Sequence, residues 1–147
     1  MLANAVSRFV VEPSESEPSA VAIIHAVDGR EVSRLELLNG VKSAAAELSA
    51  KGVLPEQRVM ICCVDSCQFL YWFWGAMWIG AIPVPVSTML TEADYRFLLD
   101  DSRSVGLIYS AEFSESAGLA AEQQFFLKWK CLDTDRDEGH SATLVAS

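Results

Sequence analysis

Apolar positions along the 147 residues recur first at every second place, then at every third or fourth, and the alternation repeats down the chain. Residues 20–26 (AVAIIHA) read as a strand, Asp28 and Gly29 as a hairpin turn, and residues 30–32 as a short return strand. Ser33 and Glu36 form a capping box, because the hydroxyl can accept from one orphan amide while the carboxylate reaches back to another. The helix they open carries Leu35, Leu38, Val41, Ala45 and Leu48 at helical spacing, and it ends where Gly52 can take positive φ. Residues 58–64 (RVMICCV) are almost wholly apolar, the pattern of a parallel strand covered on both faces. Asp65 and Ser66 can cap the next helix and Gly80 can end it, after which Pro83 and Pro85 keep residues 81–86 extended.

Thr91 and Asp94 make a second capping box, with Asp in the place usually held by Glu or Gln. Its helix runs to about Ser102, with Tyr95, Leu98 and Leu99 on one side. Residues 105–110 predict a strand, 112–124 a helix and 125–132 a last strand. The first 19 residues, with the polar run 12–18, are expected to be an exposed loop, and 133–147 a polar, poorly ordered tail. Strands alternating with helices imply an α/β fold over residues 20–132, a mostly parallel sheet flanked by helices.

The stretch FLYWFWGAMWIGAIPVPV (69–86) raises the question of a membrane span, since no charge occurs between Ser66 and Thr91. A span needs about 20 apolar residues in one helix. Pro83 and Pro85 break the helix before it could cross, and the flanking Asp65 and Glu92 give no positive orientation signal. The stretch therefore divides into a buried helix over 66–79 and a short buried strand. That helix is apolar almost all round: Phe69, Tyr71, Trp72, Phe73, Trp74, Met77 and Trp78 cannot all face one sheet. A partner, or a missing remainder of the protein, is expected to cover it.

Composition sharpens this picture in three respects. Half the chain is hydrophobic (51%), and a globular chain of this size buries roughly 70% of its unfolded surface, enough for a core. The net charge of −9, without a Lys/Arg cluster, argues against nucleic-acid binding. Cys62, Cys63, Cys67 and Cys131 have no disulfide-framework spacing and only His25 and His140 as imidazole partners, so reduced buried thiols in a cytoplasmic protein are expected in preference to a metal site.

Chemistry-bearing motifs are few. Neither G-x-x-x-x-G-K-[ST] nor G-x-G-x-x-G occurs. Asp133-x-Asp135-x-Asp137 starts like a calcium loop, but the glycine falls one place late at Gly139 and Leu144 stands where the bidentate Glu belongs. Asp100 and Asp101 are neighbours on a helix and point apart. His25 sits among apolar strand residues, which suits a structural role. No catalytic, cofactor-binding or metal residue is assigned.

One combination of features is more specific. The helix ending at Gly52-Val53, the Pro55-Glu56-Gln57-Arg58-Val59 lead into a strand, Gly75-Ala76, Gly80-Ala81-Ile82-Pro83-Val84-Pro85-Val86, Leu90 to Tyr95 (LTEADY), and Leu99-x-Asp101-Ser102-Arg103 before a strand follow one another in order. Over residues 20–110 the chain resembles the N-terminal segment of the adenylate-forming acyl-CoA synthetases, with the nearest likeness to benzoate- and other aryl-CoA ligases. The resemblance implies part of a large N-terminal domain in an enzyme that uses ATP, Mg²⁺ and CoA to turn an aryl or acyl carboxylate into an adenylate and then a thioester. The family's phosphate loop, later acidic motifs and C-terminal lysine have no counterpart in this chain, so it is expected to be inactive alone. Some members place a basic residue near CoA phosphates after the proline-containing strand; here Ser87-Thr88-Met89-Leu90 has none. The competing expectation is a stand-alone, non-catalytic remnant acting as a binding or assembly module.

Overall fold

A computed structural model of the chain describes residues 4–133. Two strands, β1 (Val21–Ile24) and β2 (Glu31–Ser33), form an antiparallel hairpin. Its turn has Gly29 at φ 72°, and the His25 amide donates to the Arg30 carbonyl at 2.8 Å. The main sheet holds β3 (Arg58–Cys62), β4 (Ile82–Pro85), β5 (Gly106–Tyr109) and β6 (Trp129–Leu132), all parallel in the order β4-β3-β5-β6.

Side-chain alternation along the central strands builds two cores. Val59, Ile61 and Cys63 of β3 and its end, with Ile108 of β5, face the long helices Arg34–Ala50 and Cys67–Trp78. Met60 and Cys62, with Leu107 and Tyr109, face the opposite layer, where Glu92–Ser102 contributes Tyr95 and Leu99 and the segment after β5 contributes Ala117, Ala120 and Ala121. Burial on both faces explains the unbroken apolar reading of residues 59–62, each 0% exposed.

Both capping boxes form as expected. Ser33 Oγ accepts from the Glu36 amide at 3.2 Å while the Glu36 carboxylate accepts from the Ser33 amide at 2.7 Å. Thr91 and Asp94 reproduce this with 3.2 and 3.0 Å. The helix after Thr91 closes at Arg103, which takes a left-handed conformation (φ 52°) where glycine is usual.

The first segment departs from the expected loop. Ser7–Val11 is a π-helical turn running into α1 (Glu12–Ser16), so the helices Arg34–Ala50, Cys67–Trp78 and Glu92–Ser102 are α2, α3 and α4. The reason is a buried stripe at four-residue spacing: Val6, Val10 and Ser14 are all turned inward, and Ser14 Oγ donates to the Arg34 carbonyl at 2.7 Å. Phe9 lies on Trp74 with ring centroids 6.3 Å apart, and Asn4 Nδ2 donates to the Met77 carbonyl at 2.7 Å. Part of the apolar surface of α3 is thus covered by the chain's own N-terminal segment. Tyr71, Trp72 and Ala76 are buried, while Phe69, Leu70, Phe73 and Trp78 are half-buried.

Two later expectations are also corrected. Residues 112–124 do not form one regular helix but a 3-10 turn (Ala111–Phe113) and a π-helical turn (Ser114–Gly118), with a short helical remainder. Gly118 packs against the Tyr109 ring so closely that a Cβ there would stand 3.0 Å from it, so contact with β5 shapes the segment. The last strand begins at Trp129, not 125: Phe125 and Phe126 stack edge-to-face, and Arg103 lies 5.4 Å over the Phe126 ring. No helix among the described residues is long and apolar enough to cross a membrane. Of the polar tail, only Asp133 lies within the described residues.

Candidate functional site

From β3 the chain moves outward to β4, and from β5 it moves the other way to β6, so the connections diverge at the carboxyl ends of β3 and β5. In open parallel sheets this switch point is where ligands bind. A cleft of about 260 Å³ lies there, lined among others by Ser66, Gln68, Ser110, Glu112 and Asp133, with His25 and Arg30 reaching in from the hairpin.

The polar groups of the cleft serve largely to tie elements together. Ser110 Oγ accepts from the Val64 amide at 3.0 Å, and the Ser110 amide donates to the Cys62 carbonyl at 3.1 Å, joining the ends of β3 and β5. Ser66 Oγ accepts from the Phe69 amide and so caps α3. Trp72 Nε1 donates to Asp133 Oδ1 at 2.9 Å, which fastens the end of β6 to α3. His25 Nδ1 lies 2.8 Å from Asp28 Oδ1, and the Arg30 amide donates to the same oxygen at 3.0 Å. The Arg30 amide, followed by the His25 ring, holds the Asp28 carboxyl below its ordinary range.

Two of the four thiols are unsuited to nucleophilic work. Burial pushes Cys62 and Cys63 up, and Cys63 Sγ contacts the Ile108 carbonyl at 3.8 Å. None of the four cysteines is in a disulfide. Among the described residues no three His, Cys, Asp or Glu side chains converge as a metal-ligand group. Asp100 and Asp101 are exposed near the end of α4 and remote from the cleft lining. Of the three aspartates at 133, 135 and 137, only Asp133 is described.

On the other face of the sheet, the loop 87–90 is held by Tyr95, which the sequence places on one side of the helix after Thr91 and at the end of the LTEADY stretch. Tyr95 OH donates to the Ser87 carbonyl at 2.7 Å and accepts from the Leu90 amide at 3.4 Å. Burial, with a smaller contribution from Cys62, pushes this phenol up to about 12. Ser110 was missed altogether, and nothing local marks it, since its role depends on β3 lying beside β5.

Residues 11–143 match the family described as AMP-binding enzyme. The chain belongs to that family. Within the AMP-binding family, it is 39% identical over 84 residues to the 4-hydroxybenzoate-CoA/benzoate-CoA ligase of Rhodopseudomonas palustris, covering 57% of this chain and 16% of that protein. Its fold superposes on a benzoate CoA ligase from Burkholderia xenovorans LB400 with TM-score 0.76 and 25% identity, over 87% of this chain and 25% of that one. The N-terminal domain of FACL13 from Mycobacterium tuberculosis gives TM-score 0.79 at 23% identity, over 86% of this chain and 33% of that one, a likeness of fold. The chain thus has the fold of part of the N-terminal domain of acyl-CoA ligases and spans about one-sixth of the R. palustris ligase.

Proposed function

We propose that this chain is the N-terminal scaffold portion of an acid-CoA ligase acting on an aryl or acyl carboxylate, and that it is catalytically silent by itself. The family match over residues 11–143 is the observation that carries the reading. The similarity to a ligase named for benzoate and 4-hydroxybenzoate supports an aryl acid. In the complete enzyme ATP, Mg²⁺ and CoA would be the cofactors, acting in the cytoplasm. Among the described residues the Ser110 and Ser66 hydroxyls of the cleft accept from the Val64 and Phe69 amides, and no group of metal-ligating side chains converges. We therefore assign them no step on this chain, and no catalytic or cofactor-binding residue. The half-buried apolar side of α3, including Phe69 and Phe73, would be closed by the remainder of the ligase.

A chimera tests the scaffold role. The matching segment of the R. palustris ligase is replaced by residues 11–133 of this chain, and ATP–pyrophosphate exchange is followed with benzoate. Exchange is expected in the chimera and absent from the 147-residue chain alone. A folded chimera without exchange would overturn the scaffold reading, and exchange by the chain alone would overturn its silence. The second reading, a stand-alone binding module, is favoured by the exposed Phe9 and Ile24 and the half-buried flank of α3. A stable monomer that binds no apolar-surface dye would count against it.

A further inference from the structure

We draw no further inference here: the strongest candidate, the apolar slot of about 350 Å³ between the β1–β2 hairpin and the first turn of α3, lined by Ile23, Ile24, Phe69 and Leu70, is an unpartnered surface patch, and nothing in the structure shows what covers it.

Discussion

Gly75 sets two physical rules against each other. Replacing a mid-helix glycine by alanine ordinarily stabilises by about 0.8–1 kcal/mol. A Cβ on Gly75, however, would stand 2.7 Å from Ala44 Cβ, 3.0 Å from the Ala45 nitrogen and 3.2 Å from the Ala44 carbonyl carbon. None of these atoms is the far end of a flexible side chain, so relief requires α2 and α3 to separate. The same interface is tight at Gly40, where a Cβ would lie 2.6 Å from the Tyr71 ring. Overpacking a well-packed core costs about 1–3 kcal/mol, and two of the three contacts are backbone, which puts the cost in the upper part of that range. After subtracting the helix gain, Gly75→Ala is expected to destabilise by about 1–2 kcal/mol, with each kcal/mol lowering the melting temperature by about 2–4 °C. Urea unfolding followed by far-UV circular dichroism measures it. Adding Ala44→Gly removes the nearest contact, so the double variant should be more stable than the sum of the singles by about 1 kcal/mol. A Gly75→Ala protein with a raised urea midpoint would refute the close approach of α2 and α3.

Four further outcomes are expected. Gly106→Ala places a methyl 2.1–2.3 Å from the Trp129 indole, so β6 must shift; a loss of about 2 kcal/mol or more and a changed near-UV spectrum should follow. Tyr95→Phe leaves the Ser87 carbonyl without its phenol donor and should cost about 1–2 kcal/mol. The phenol also sets an alkaline limit: its folded value near 12 lies above the unfolded value of about 10. The unfolded chain therefore loses a proton that the folded chain keeps, and stability should fall between these pH values, less steeply in Tyr95→Phe. Cys62 and Cys63, raised in the same direction, start the decline earlier, and a urea midpoint that is flat from pH 8 to 11 would contradict all three assignments. Ser33→Ala removes the oxygen that accepts from the Glu36 amide and should cost about 1 kcal/mol in the same unfolding assay.

The parallel sheet was legible because its signals are local. Capping boxes at Ser33 and Thr91, proline at 83 and 85 and the apolar run from Val59 to Cys62 each act within a few residues of themselves, and each appears in the structure as read. The N-terminal segment was not legible because the polar run 12–18 masked a stripe at four-residue spacing. Val6, Val10 and Ser14 stand four apart, and Pro13 sits where the π-helical turn runs into α1. Residues 125–132 read as one strand, yet Phe125 and Phe126 pack edge-to-face and Arg103 lies over the Phe126 ring, so pairing in the sheet begins only at Trp129. In both places a tertiary contact overrode the local preference.

The cleft was least legible of all, and the reason bears on function. Ser66, Ser110 and Asp133 are ordinary residues individually; the strand order β4-β3-β5-β6 brings them to one rim. Once there, their hydrogen bonds run to Phe69, Val64 and Trp72, fixing where α3 starts and where β3, β5 and β6 stop. A catalytic rim would hold groups whose bonding capacity or ionisation is poised toward a substrate. Here the two serines brace the backbone. Such bracing of strand and helix ends is what the proposed scaffold role asks of this rim.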